Sequence, residues 1–362
     1  MALRASHEDN VQITITLDPP PQAGLDFQTV LLLRDAITLD GDRVRTYTSL
    51  NSVQSDEDAG FVDAFVTEWA RVAFSQKPAP KQIKVGRVDT VGGESYEDAY
   101  DLILAEDCDF YAICMDSRTP ATQVAFALAI EADEAEGLRH LFIFQSSDAS
   151  WLTAGIPAAY ATLADLERWA VVYHDDDAQV QDGAWAVSRT VFDPDIRSYP
   201  WDGQIFATDN LTTAPDDTAK GHLDDNSANH GLPYGGADVW IDKGVNGSGR
   251  FLHELVTADW FYARLLEDTT AFKIKYSARG RKVPLDDVGR SLIRKLLENL
   301  LAQGVAAEHF QAGQTSVTVE PISDDDRANG CIRASAVATL LGSARVFKFD
   351  LAFVRNPINV QE

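Results

Sequence analysis

The sequence predicts an α/β and α+β protein. A mostly parallel, helix-covered sheet fills the middle of the chain, a C-terminal α+β domain follows, and extended β-arms stand at both ends. Three patterns predict this. Apolar strand-like runs alternate with helical stretches from about residue 25 to about residue 175, the order of a parallel sheet covered by helices. A segment rich in Asp, Asn, Gly and Pro, residues 208–236, interrupts that alternation. Two stretches near the ends of the chain read as strands set off by prolines.

Residues 11–17 alternate apolar and polar, with β-branched side chains, as a strand does. Asp18-Pro19-Pro20-Pro21 ends the stretch, so its partner must lie elsewhere, in this subunit or another. Strands are expected over residues 29–33, 82–88, 110–115, 141–144 and 169–173. Helices are expected between them, over residues 61–74, 96–105, 119–135 and 158–166, with a further one over 179–190. Thr119-Pro120 is a favourable helix start, with proline in the first turn. Val239 and Ile241 mark a short strand, followed by a turn through Gly244, Gly247 and Gly249. Phe251, Leu252, Leu255, Trp260, Phe261, Leu265 and Leu266 then recur at helical spacing. After Pro284 a second helix carries Leu285, Val288, Leu292, Ile293, Leu296, Leu297, Leu300 and Leu301, and Gly304 is expected to stop it. Residues 315–319, 332–341 and 345–354 read as strands. The resulting division is an N-terminal arm (1–22), an α/β domain (23–205), an irregular connector (206–236), a C-terminal α+β domain (237–345) and a C-terminal strand and arm (346–362).

Composition narrows the function. The chain has 362 residues and a net charge of −25. Such acidity disfavours binding to nucleic acid or to an anionic membrane surface. The hydrophobic share of 45% is enough for a sizeable core. Cys108, Cys114 and Cys331 form no Cys-x-x-Cys pair and read as reduced, core-filling thiols. Residues 1–10 are polar, without the apolar stretch of a signal peptide. No apolar run approaches the ~18 residues of a membrane span.

The α/β pattern invites a nucleotide site, but the motifs are missing. Gly92-Gly93 follows a strand without the third glycine of a dinucleotide fingerprint. The Gly244–Gly249 turn has no lysine where a phosphate loop needs one. His174-Asp175-Asp176-Asp177 and Asp324-Asp325-Asp326 are acidic runs without ligand spacing, and read as solvated caps. No Gly-x-Ser-x-Gly elbow marks a nucleophile, and His253-Glu254 lacks the second histidine of a zinc protease. No catalytic residue, cofactor or metal is therefore expected. The charge pattern is more informative. Between Lys273 and Lys295 stand Lys273, Lys275, Arg279, Arg281, Lys282, Arg290, Arg294 and Lys295, against only Asp286 and Asp287. This is either an ordinary polar face or a contact surface for an acidic partner.

Several of these pieces, in order, resemble the bacteriophage contractile-tail (myovirus) sheath family. Asp259-Trp260, Arg264, Glu267-Asp268, Lys282-Val283-Pro284, Asp287-Val288-Gly289 and Gly304 match the pattern of its C-terminal domain. Asp324-Asp325-Asp326-Arg327-Ala328-Asn329 matches downstream, although Gly330 stands where a basic residue is expected. Upstream, residues 61–87 match its helix, Phe-Ser-Gln and Lys-x-Ile-x-Val-Gly-Arg passage. The resemblance implies a structural subunit of a contractile tail sheath, without enzymatic activity. Such subunits form a helical homo-polymer of stacked rings around the tail tube and contract to drive the tube through the host envelope. It implies a place in the virion after assembly in the host cytoplasm. It implies as partners the subunit itself, the tail tube protein, and baseplate and tail terminator proteins. It also implies that terminal arms add strands to neighbouring subunits, which assigns that role to Val11, Ile13, Ile15, Leu17, Phe349, Leu351, Phe353, Ile358 and Val360. Because the C-terminal domain of the family faces the tube, the resemblance makes Arg279, Arg281, Lys282, Arg290, Arg294 and Lys295 the tube-facing candidates. The alternatives are a doubly wound nucleotide-binding enzyme or another phage structural protein, a baseplate or capsid component.

Overall fold

A computed structural model describes residues 26–203, 207, 214–234 and 238–342. Both expected arms, with Val11 through Leu17 and Phe349 through Val360, lie outside the described residues. In chain order the elements begin with β1 (Val30–Asp35), β2 (Val44–Tyr47), α1 (Leu50–Asp58), α2 (Ala64–Phe74), β3 (Ile83–Val88) and α3 (Tyr96–Glu106). Next come β4 (Ala112–Met115), α4 (Pro120–Asp133), β5 (Leu141–Ser146), β6 (Trp169–Tyr173), α5 (Gln181–Thr190), α6 (Asp217–Asp225) and β7 (Ala228–Asn229). The last are β8 (Gly231–Tyr234), β9 (Asp238–Ile241), α7 (Leu252–Ala278), α8 (Asp287–Ala306), β10 (Phe310–Val319), α9 (Asp324–Asn329) and β11 (Ala334–Leu340).

The main sheet runs β2-β3-β1-β4-β5-β6-β7. All its pairings are parallel except the edge pair β2–β3, which is antiparallel. Strand side chains alternate between two faces, and both faces are covered. Val30 and Leu32 join one cluster with Val66, Trp69, Trp185, Leu252 and Trp260 from α2, α5 and α7. Leu31 and Leu33 join the other, with Tyr100, Phe126, Tyr160 and Leu223 from α3, α4 and the segments beyond. Double coverage is why these strands read as continuous apolar runs. The C-terminal unit is α+β: α7 and α8 lie beside the two-stranded antiparallel sheet β10–β11.

The structure departs from sequence expectation at four places. Residues 158–166 were expected as a helix, but a 3-10 run, Ala158–Leu163, stands there, with i to i+3 bonds such as Tyr160 N–H to the Pro157 carbonyl. The described part of the 206–236 stretch is not irregular: it carries α6, β7 and β8. There the Asp216 carboxylate accepts from Ala219 N–H at 2.8 Å and starts α6. Helix α7 continues well past the apolar stretch that ends near residue 266, to Ala278. Gly304 does not stop α8. It sits inside the helix, where a Cβ would lie 2.5 Å from the Phe310 ring, so the absent side chain serves close packing rather than termination. Elements β2 and α1 carry almost no periodic signal; in α1 only Val53 is buried.

Candidate assembly interface

A doubly wound sheet binds ligands beyond the C-terminal ends of its strands, where the strand order reverses. Here that place lies beyond β1, flanked by β3 and β4. Its side chains are committed to each other. The Arg34 guanidinium bonds both Asp63 and Asp116, and the Tyr96 hydroxyl donates to the other Asp116 oxygen at 2.6 Å. Asp35 accepts from the Thr90 hydroxyl at 2.5 Å, and Asp89 accepts from Gly92 N–H at 2.8 Å. Asp35, Asp89 and Asp116 make this end of the sheet acidic, and its Arg34 guanidinium is already held by two carboxylates.

The acidic runs also resolve into structure. His174 is buried, and its Nδ1 accepts from Asp176 N–H at 3.0 Å, closing the turn after β6. Asp326 forms a capping box with Ser323 at the start of α9 and also accepts from Arg333 at 2.7 Å. Among the described residues one group has metal-like spacing, Asp224, His230 and Asp242. A cation already sits in it: the Lys220 ammonium donates to Asp224 at 2.8 Å and to Asp242 at 2.6 Å. The arrangement is an ion-pair cluster that ties α6 to the strand end after β9.

The Gly244–Gly249 stretch is the tight turn its glycines suggest. Gly249 N–H bonds the Asn246 carbonyl at 2.9 Å, and Gly247 lies so close to the Trp169 ring that a Cβ would collide with it at 1.9 Å.

The C-terminal unit is held on the sheet by a buried polar seat. Asp259, on α7, accepts from Arg168 at 2.5 Å and from the Tyr111 hydroxyl at 2.9 Å. Arg168 also bonds Glu134 at 2.9 Å, and Arg139 stacks over the Tyr262 ring at 4.4 Å. Tyr111, Arg139 and Arg168 all precede their strands, so the seat lies at the opposite end of the sheet from the ligand crevice. The next residue of α7 faces another side: Trp260 Nε1 donates to Asp195 at 2.7 Å and its ring stacks on His309 at 4.4 Å. Arg264 bonds Asp195 at 2.7 Å and Glu267 at 2.6 Å. Asp259, Trp260, Arg264 and Glu267, which carry the resemblance, are thus fastening residues. Their partners Tyr111, Arg168 and Asp195 were not singled out from sequence, because each lies more than 60 residues away and carries no local motif.

The basic surface is divided by its contacts. Arg279, Arg281 and Lys282 are exposed on the loop after α7, and Arg294 and Lys295 are exposed on α8. Arg290 is different. It donates to Asp287 at 2.9 Å and to the Val319 carbonyl at 2.9 Å, pinning α8 to β10. Asp286 caps α8, accepting from Val288 and Gly289 N–H. Gly289 is required there, since a Cβ would meet the Pro284 carbonyl oxygen at 1.8 Å. None of the described helices is long and apolar enough to cross a membrane.

A helix-covered parallel sheet carrying a helix pair and a small antiparallel sheet is the fold of contractile sheath proteins. A chain from the anti-feeding prophage baseplate matches with a TM-score of 0.67 at 10% identity, covering 94% of this chain and 98% of that one. A chain of the anti-feeding prophage helical sheath in the contracted state matches with 0.66 at 12% identity, over 93% and 97%. A sheath tail protein from Listeria innocua matches with 0.52 at 12% identity, over 87% and 96%. No protein-family model matches the sequence, and no curated protein does either.

Proposed function

We propose that this chain is a structural subunit of a phage-type contractile sheath. It polymerises helically around a tail tube and contracts to drive the tube through an envelope. The observation that carries this reading is the end-to-end fold correspondence with a contracted sheath subunit, over 93% of this chain and 97% of that one. No nucleotide enters the mechanism. A heterologous contact whose rotation does not close gives a helical polymer, and the stored energy is the difference between two packings of the same subunits. The acid-lined strand ends and the lysine-filled Asp224 cluster support a role without catalysis, cofactor or metal.

The terminal segments, including Val11, Ile13, Ile15, Leu17, Phe349, Leu351, Phe353, Ile358 and Val360, add strands to neighbouring copies. The exposed cations Arg279, Arg281, Lys282, Arg294 and Lys295 face an acidic tube. Baseplate and tail terminator proteins close the two ends of the polymer, which assembles in the host cytoplasm and remains in the particle.

Negative-stain microscopy of the purified protein tests the reading, and hollow striated cylinders are expected. Discrete monomers at every concentration and salt would overturn it. Short rings without cylinders would favour a baseplate component instead, a reading kept in view because one matched chain comes from a baseplate.

A further inference from the structure

The subunit turns many of its cations inward and leaves acids outside. The side chains of Lys84, Arg118 and Arg168 are at most 9% exposed; they donate to Asp107, Asp182 and Asp259 at 2.6, 2.6 and 2.5 Å. Arg34, Arg43, Arg45 and Arg264, at most 22% exposed, tie down Asp63, Glu94, Asp56 and Asp195 in the same way. Several outer carboxylates have no such partner. Residues 88–117 contain no Lys, Arg or His, and α3, which lies among them, exposes Asp101 and Glu106. Neither belongs to an ion pair among the described residues. The same is true of Asp58 at the end of α1 and Asp177 after β6, both exposed. Burial, and then the neighbouring Asp98 and Glu97, raise the Asp101 pKa, so like charges already crowd this helix. One group of exposed cations, Arg279 to Lys282 with Arg294 and Lys295, stands apart on the loop after α7 and on α8. The net charge of −25 is thus carried largely on the outside.

We infer that this acidic shell is a salt-operated switch on self-association: copies repel one another at low ionic strength and join once monovalent cations screen the charge. Repulsion between two copies grows with the square of the charge that each carries. It reaches about 30 Å into solvent at 0.01 M salt but only about 3 Å at 1 M. Net charge of this size keeps a protein monomeric. A polymer multiplies the effect, because every copy has several neighbours. Salt leaves the apolar part of such contacts in place. No bound cation is required, and the Asp224–His230–Asp242 group already holds Lys220. The sign is opposite to that of a tube contact through Arg294 and Lys295, where salt screens an attraction. The switch rests on the assembly reading above, whereas the acidic shell does not.

The test is sedimentation of the full chain at one fixed concentration, from about 0.02 to about 1 M NaCl. Monomer is expected at the lowest salt and polymer above a threshold. The comparison is a variant with Asp58→Lys, Asp101→Lys, Glu106→Lys and Asp177→Lys, four carboxylates without an ion-pair partner among the described residues. Each reversal adds two charges, so together they take the net charge from −25 to −17. The threshold salt should fall about threefold. The Tm of the monomer should rise with salt in the parent and rise less in the variant. Polymer as abundant at the lowest salt as at the highest would overturn the switch and leave the assembly reading standing. Polymer that dissolves as salt rises would also overturn it, and would set the cations of α8 against a neighbour's acids. Polymer induced by ~1 mM MgCl2 at the lowest NaCl would replace screening by a bound cation. No polymer at any salt would remove the switch and the assembly reading together, and a Tm indifferent to salt would remove the shell.

Discussion

The Asp259 carboxylate meets the Arg168 guanidinium at 2.5 Å, and neither side chain is more than 1% exposed. The pair joins α7 to the residue just before β6, so it couples the C-terminal unit to the sheet. Burial alone would lower the Arg168 pKa; Asp259 and Glu134 outweigh it and raise it. Removing one partner of such a pair strands the other. Asp259→Ala should therefore cost about 3–5 kcal/mol in urea unfolding. Arg168→Met with Asp259→Leu should cost much less, because both charges leave together. Equal losses from the single and double changes would count against a coupled seat.

Titration of the neighbouring cluster should show two opposing slopes. Burial pushes the His140 pKa down to about 3, while its Nδ1 meets the Tyr100 hydroxyl at 2.6 Å. Between pH 6.5 and 3 the unfolded chain binds this proton and the folded chain does not, so stability is lost as pH falls through that window. Burial pushes the Asp133 pKa up to about 6. Between about pH 4 and 6 the folded chain holds that proton more tightly, so its contribution is lost as pH rises through 6. Asp133→Asn should raise the Tm at pH 7.5 and converge with the parent at pH 4. A constant offset across that range would rule out titration of Asp133 as the cause.

Two glycine-to-alanine changes should have opposite signs. At Gly304 a Cβ would approach Phe310 at 2.5 Å and Trp260 at 3.2 Å, so Gly304→Ala should cost about 1–3 kcal/mol by overpacking. At Gly221, inside α6, nothing lies within 4 Å. There the helix gains from a side chain, and Gly221→Ala should stabilise by about 0.5–1 kcal/mol. Chemical denaturation of the two variants checks both.

Much of the fold was legible because β1, β3, β4, β5 and β6 are buried on both faces and announce themselves as apolar runs. Residues 44–47 and 50–58 were not legible, since an edge strand and a helix with one buried side chain leave no periodic trace. In α6 the capping aspartates had the composition of a loop. Asp259 and Trp260 were visible as a motif, but their purpose was not, because Arg168 and Asp195 approach them only in three dimensions. Likewise nothing local distinguishes Arg189 from a surface arginine; its burial appears only in three dimensions.

Deleting residues 1–18 should leave a soluble subunit with unchanged thermal unfolding that no longer forms long cylinders. The deleted segment precedes β1, the first strand of the sheet core. Its alternating aliphatic residues need a sheet edge or groove elsewhere. Electron microscopy of the deleted chain reads the result directly, and cylinders of normal length would refute an assembly role for the segment.

The last prediction separates the cations that hold the subunit together from those free to meet a partner. Arg290 serves the fold: it bonds the Val319 carbonyl and Asp287, so Arg290→Glu should loosen α8 from β10 and lower the Tm. Arg294 and Lys295 are exposed on the same helix, in a chain of net charge −25. Under the proposed function the sheath must hold its tube before firing and release it afterwards, which suits weak repeated charge contacts better than a buried apolar interface. Each exposed pair is worth only ~0.2–1 kcal/mol, but the contact recurs in every subunit. Arg294→Glu with Lys295→Glu should therefore keep the Tm of the parent, while particles carry empty contracted sheaths instead of tube-filled extended ones. Because salt screens such contacts, raising the ionic strength should reproduce part of that defect in the parent protein. Normal extended particles from the double variant would remove the tube from this face of α8.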